Sequence, residues 1–132
     1  PSMHTICADM LNVDFDVHRF DAITAIDCLF HLPSEQHPII LRKMASWLNP
    51  QGCAMFTYAT ERTTGHEQFD GFQPFRGESL YCSHKSPGQL FNDIKKSGLE
   101  LLSADYNSRG EDTFLWVTVR KKALVEGDDG GV

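Results

Sequence analysis

At 132 residues the chain has room for one domain. Hydrophobic residues make up 41% and charged residues 23%, an ordinary globular mix that argues against disorder along the whole length. The formal net charge is −6 and no basic run exceeds Arg120-Lys121-Lys122, so no nucleic-acid backbone is expected as a partner; no apolar stretch approaches the ~20 residues that span a bilayer, so no membrane is expected either. Pro1-Ser2-Met3-His4 lacks an initiator methionine and a signal-peptide core, and reads as a cut end. The four cysteines (Cys7, Cys28, Cys53, Cys82) form no Cys-x-x-Cys pair and mostly sit in apolar segments. That pattern predicts buried free thiols in a reducing, cytoplasmic setting.

In chain order, His4–Ala8 reads as a short apolar strand ending at Asp9. Ala22–Ile26 is a second, ending at Asp27, and Cys53–Tyr58 a third, after the turn Asn49-Pro50-Gln51-Gly52. Apolar runs without alternation predict parallel strands covered on both faces. Between the second and third, a helix is predicted with Ser34 as N-cap, Glu35 in its first turn and Ile40, Met44, Trp47 and Leu48 on its apolar face. Glu61–Lys85 shows no clear periodicity, holds three glycines (Gly65, Gly71, Gly77) and is punctuated by Phe69, Phe72, Phe75 and Tyr81. It reads either as a functional lid or as a satellite core. Ser86, Pro87 and Gln89 then make a capping box for a second helix with Leu90, Phe91 and Ile94 inward and Gly98 at C′. Leu99–Tyr106 and Thr113–Val119 flank the polar loop 107–112 as an antiparallel hairpin, and 123–132 is expected to be a loose tail after a domain over 1–122.

Strands alternating with helices predict a partial α/β sheet, mostly parallel, with a C-terminal antiparallel hairpin at one edge. In such sheets ligands bind beyond the carboxyl ends of the strands, where Asp9, Asp27 and Tyr58-Ala59-Thr60 lie.

Phe20-Asp21-Ala22-Ile23-Thr24-Ala25-Ile26-Asp27-Cys28-Leu29-Phe30-His31-Leu32 resembles the fourth-strand motif of class I S-adenosylmethionine-dependent methyltransferases. Leu41-Arg42-Lys43-Met44 through Trp47-Leu48-Asn49-Pro50-Gln51-Gly52 resembles the following helix and turn. Cys7-Ala8-Asp9-Met10 resembles the third-strand end, and Leu80-Tyr81-Cys82-Ser83-His84 with the closing hairpin resembles the tail of the small-molecule branch. The resemblance covers about residues 4–122 and implies a Rossmann-like sheet, S-adenosylmethionine as cofactor and a small-molecule methyl acceptor.

It also implies roles for single residues. Asp9 would accept from the adenine amine, Met10 and Leu11 would pack on the adenine faces, and Asp27, Cys28 and Leu29 would lie along the cofactor. His31 is the candidate base, because imidazole titrates near neutrality, and His84 a second candidate reaching in from the lid. The competing readings are a solvated strand end for Asp9, a turn residue for Asp27 and pocket-lining for His31. Cys82-x-His84 alone is too little for a metal site. The family's glycine-rich first loop and ribose-binding carboxylate have no counterpart in this sequence. Two readings therefore stand: part of a methyltransferase completed by a further segment or chain, or a truncated, non-catalytic binding or dimerisation module. A sheet edge bared at Ala22–Ile26 predicts a homodimer, unless His4–Ala8 folds back beside it.

Overall fold

A computed structural model describes residues 2–123; the tail expected over 123–132 lies, beyond its first residue, outside the described residues. Four strands form the main sheet in the order β1-β2-β6-β5. β1 (Phe20–Ala25) runs parallel to β2 (Leu48–Tyr58), and β6 (Asp112–Lys121) pairs antiparallel with both β2 and β5 (Leu99–Arg109). The partial Rossmann-like sheet with a C-terminal antiparallel pair at one edge is present, but its parallel part is a single pair of strands.

The missing parallel strand is His4–Ala8. This segment is exposed, forms no strand and pairs with nothing among the described residues. A strand exists only through a ladder, and the free edge of β1 is not offered to it at hydrogen-bonding distance. The fold-back alternative is therefore not realised either. Met10, Leu11 and Phe15 do anchor the following stretch, packing against the main core, with Phe15 edge-on to both Phe20 and Trp47.

One face of the sheet is a core face. Ala54, Phe56 and Tyr58 of β2 alternate inward with Leu115, Val117 and Val119 of β6. They meet Ile40, Leu41 and Met44 of α1 (His37–Trp47) and Leu90 and Ile94 of α3 (Pro87–Lys96). The other face is only half covered: Ala22 and Thr24 of β1 are exposed, so the apolar runs are not strands buried on both sides. Cysteine placement follows. Only Cys82 is buried, Cys28 and Cys53 are half-buried and Cys7 is exposed, all four as free thiols. The expectation of buried thiols holds for Cys82 alone, because the segment of Cys7 joins no sheet and Cys53 points to the half-covered face.

Local signals set the helix ends. Ser86 accepts from the Gln89 amide and Gln89 returns the bond to the Ser86 amide, with Gly98 at C′, as the capping box predicts. α1 departs from expectation. Ser34 lies in a 3-10 turn (Ser34–Gln36) and Gln36 is the N-cap, because the Ser34 hydroxyl and amide are both engaged by Asp70 at 2.6 and 3.2 Å. Leu48 opens β2 rather than closing α1, and residues 49–51 bulge out of the ladder between the pairs Phe20–Leu48 and Ala22–Cys53. Gly52 closes the bulge: a Cβ there would stand 2.9 Å from the Asn49 carbonyl oxygen and 3.1 Å from that of Asp21.

The segment Glu61–Lys85 is ordered structure. After the single turn α2 (Glu61–Thr64), β3 (Phe69–Phe75) and β4 (Glu78–His84) make a separate two-stranded hairpin. Its two-residue turn, Arg76-Gly77, has positive φ at both positions (49° and 81°), the backbone whose twist matches a hairpin. The satellite-core reading holds for part of the segment, and the part that would serve as a lid lines a cavity. Phe69 and Cys82 pack with Phe30, Ala59 and Phe114 in a second small core, while Phe75 and Leu80 face a cavity. The β5–β6 connection is also tighter than expected, pairing Arg109 directly with Asp112.

Candidate functional site

A cavity of about 850 Å³ opens at the carboxyl ends of β1 and β2. Its floor is Asp27, Phe30 and His31, which follow β1; one wall is the lid hairpin with Phe75, Arg76 and Leu80; the other is the β5–β6 turn with Arg109, Asp112 and Phe114. The placement is the one open α/β sheets favour for ligands, because strand ends and loops there leave backbone and side-chain groups unspent.

Asp27 is held in three ways. Its backbone sits at φ 55°, a conformation uncommon outside glycine, and its amide donates to the Thr57 hydroxyl at 2.7 Å. That hydroxyl lies 3.3 Å from Asp27 Oδ1, and Arg109 Nη2 donates to both carboxylate oxygens at 2.9 and 3.0 Å. The Arg109 guanidinium also lies over Phe114 and Trp116, 6.0 and 5.9 Å from the ring centres. Sequence reasoning missed Arg109 and Thr57. Arg109 read as a residue of a polar hairpin loop, and nothing local signals a contact across 82 residues.

His31 donates from Nδ1 to the Tyr81 carbonyl at 2.7 Å, which leaves Nε2 without a protein partner among the described residues. Tyr81 is itself fixed by its hydroxyl, which donates to Asp70. That bond pushes the Tyr81 hydroxyl pKa up to about 12. Burial opposes ionisation of Asp70, but the bonds from Ser34 and Tyr81 outweigh it and hold the carboxyl below its usual value.

The remaining expected residues lie elsewhere. Asp9 is exposed, its Oδ1 accepting from the Leu11 amide at 3.0 Å, and it does not line the cavity. Cys28 is half-buried with its thiol pKa raised, mainly by burial, and Leu29 is fully buried in the main core. His84 is buried too. Its Nδ1 donates to the Lys85 carbonyl at 3.1 Å and Nε2 meets the Thr64 hydroxyl at 2.7 Å, so both ring nitrogens are spent on structure. Burial lowers its pKa. The structure thus brings Asp27 and His31 together and leaves His84 and Asp9 outside.

A third histidine, unflagged in sequence, is the most engaged. His37 is fully buried; its Nε2–H faces the Leu32 carbonyl at 3.1 Å and the Ser83 hydroxyl at 3.0 Å, and Nδ1 accepts from the Tyr58 hydroxyl at 2.9 Å. Tyr58 accepts in turn from the Lys85 amide at 2.9 Å. This network ties the base of the lid to β2. Burial drives the His37 pKa down to about 4 and pushes the Tyr58 hydroxyl up.

A family model described as a methyltransferase domain matches residues 3–104. The chain belongs to the methyltransferase-domain family. Comparison with curated proteins finds no match. Among solved structures, this methyltransferase domain is similar to the Burkholderia thailandensis 1,6-didemethyltoxoflavin-N1-methyltransferase, whose structure holds 1,6-didemethyltoxoflavin and S-adenosylhomocysteine (16% identity, TM-score 0.67, 89% of this chain and 50% of that one). It is similar to a methyltransferase from Methanosarcina mazei (13%, TM-score 0.69, 89% and 66%) and to the [4+2]-cyclase SpnF (16%, TM-score 0.65, 90% and 56%). At these identities the likeness establishes the fold. The domain spans only half to two thirds of the length of these structures.

Proposed function

We propose that this domain takes part in S-adenosylmethionine-dependent methyl transfer to a small-molecule acceptor, as part of a larger methyltransferase in the cytoplasm. The observation that carries the reading is the cavity beyond β1 and β2, with Asp27 and His31 on its floor, in a chain of the methyltransferase-domain family. Bound S-adenosylmethionine supplies a methyl group already activated on a sulfonium, so the protein has to position the acceptor and take up a proton.

The residues present fit one end of that cofactor. The Asp27 carboxylate is 43% exposed beside its arginine partner and suits an ammonium group; Leu29 has its side chain in the core and offers only backbone. Asp9 and Met10 would reach the adenine once the exposed segment before them is paired into the sheet. His31 is the base. The Tyr81 carbonyl fixes its tautomer and leaves the Nε2 lone pair to accept the acceptor's proton.

The fold alone does not dictate methyl transfer, since SpnF shares it as a [4+2]-cyclase. The short span relative to its neighbours also favours a second reading, a module that binds without catalysing. One experiment separates them: S-adenosylhomocysteine is titrated into this chain and into the complete gene product, and release of S-adenosylhomocysteine from S-adenosylmethionine is followed over a panel of small acceptors. Binding with turnover by the complete gene product is expected, with this chain binding at least ~10-fold more weakly. Binding without turnover selects the non-catalytic module, and no binding by the complete product overturns both.

A further inference from the structure

The cavity lining mixes aromatic and aliphatic side chains with polar and charged groups. Phe114 stacks on the buried Phe30 at 5.1 Å and 18°, and Phe75 and Leu80 of the lid line the same cavity, 45% and 39% exposed. Large apolar side chains left wet inside a concavity mark the contact surface of an apolar ligand. Of the two cations on the walls, Arg109 is committed to Asp27. Arg76, at the lid tip, lies over the Phe75 ring at 5.2 Å, and among the described residues no carboxylate comes within 4.0 Å of it. Asp112, on the β5–β6 wall of the same cavity, is likewise without a cation.

We propose that the cavity takes a flat aromatic acid: its ring lies between Phe75 of the lid and the half-buried Phe114, which the buried Phe30 backs, and its carboxylate is held by Arg76. The guanidinium already lies over an aromatic ring, and a second ring placed against Phe75 brings a carboxylate substituent to the same edge. Asp112 repels that carboxylate from the opposite wall, so the ligand enters one way round. The edge away from Arg76 then faces Asp27 and His31, where a hydroxyl or amine on the ring would be methylated. This assignment rests on the methyl-transfer reading for the reaction, but not for binding.

The test uses 2-naphthoate and 2-naphthamide, isosteric and differing in charge, titrated calorimetrically into the chain without cofactor. The acid should bind ~10-fold or more tightly than the amide. Arg76→Gln should abolish that preference and leave amide binding unchanged, while Phe75→Ala should weaken both probes alike. Both side chains are exposed, and circular dichroism verifies that the variants fold. Equal binding of acid and amide, or a preference that survives Arg76→Gln, overturns the role of Arg76. Absence of binding by both probes overturns the whole assignment. If naphthoate binds as described while the complete gene product fails to turn over S-adenosylmethionine, the site stands and the methyl-transfer reading falls.

Discussion

Arg109 and Asp27 lie 82 residues apart and meet through one guanidinium nitrogen that reaches both carboxylate oxygens, at 2.9 and 3.0 Å. The pair joins the β5–β6 turn to the end of β1 across the mouth of the cavity. Both side chains are about half exposed, so the pair contributes less than about 1 kcal/mol to stability. Its effect should fall on function. Arg109→Gln is expected to leave the urea unfolding midpoint of the chain nearly unchanged while lowering kcat/KM of the complete gene product ~10-fold or more, because the direction of the Asp27 carboxylate is lost. A stability loss with unchanged kinetics would make the pair a strut.

The lid is held by Asp70, which accepts from the Ser34 amide and hydroxyl on one side and from the Tyr81 hydroxyl on the other. Tyr81 passes the constraint to His31 through its carbonyl. Asp70→Ala should therefore free both the hairpin and the imidazole. Native-state hydrogen exchange is expected to speed up across β3 and β4 while β2 and β6 keep their protection. Uniform loss of protection throughout would show that Asp70 stabilises the fold as a whole.

How much of this was legible depended on whether the signal was local. The Ser86–Gln89 box, the β5–β6 hairpin and the run into Asp27 are written in neighbouring residues, and all are found where the pattern places them. The lid hairpin was not legible, because its inward face lines a cavity rather than a core. Phe69, Gly71, Gln73 and Phe75 alternate with Asp70 and Phe72 without a clean apolar period. His4–Ala8 has the composition of a strand but no partner edge, which composition cannot report. Ser34 looked like an N-cap until Asp70, 36 residues on, claimed its hydroxyl. Strand-end logic points to Asp27 and the family motif to His31, and both line the cavity. Arg109, Thr57 and His37 act through long-range contacts that no spacing rule reaches.

β1 is the outermost strand of its sheet, and apolar side chains of the segments that flank it in the chain are exposed, Ile26 at 39% and Ile6 at 61%. A bare edge of this kind recruits another strand, and a second copy across a two-fold axis hides both edges at once. Sedimentation equilibrium of the chain at micromolar concentration should show a dimer. Thr24→Lys, which places a charge on an exposed position of that edge strand, should raise the dissociation constant ~10-fold. A monomer at all concentrations would rule out the edge as a self-association surface.

The last prediction concerns pH, and its sign follows from His37. Burial first, then the nearby Lys85 charge, brings the folded-state pKa to about 4 against an ordinary 6.5, even though the bond to the Leu32 carbonyl favours the protonated ring. Above pH 6.5 neither state holds the proton, and the neutral ring keeps its bonds to Leu32, Ser83 and Tyr58. As the pH falls below 6.5 the unfolded chain takes up a proton that the folded chain refuses until about pH 4. Unfolding is therefore favoured progressively, by about 1.4 kcal/mol per pH unit and about 3 kcal/mol across the window. His84, whose pKa is also lowered by burial, adds with the same sign, and Asp70 extends the loss to lower pH, where its carboxylate is protonated first in the unfolded chain. Urea unfolding at pH 7.5, 5.5 and 4.5 should show the midpoint dropping across that range. In His37→Gln, which keeps a hydrogen-bonding side chain but cannot titrate, the chain should be less stable at pH 7.5 by about 1–3 kcal/mol from imperfectly replaced bonds. The same variant should lose much of the slope between pH 6.5 and 4. A slope equal to that of the parent chain would mean that His37 is not the group that titrates on unfolding.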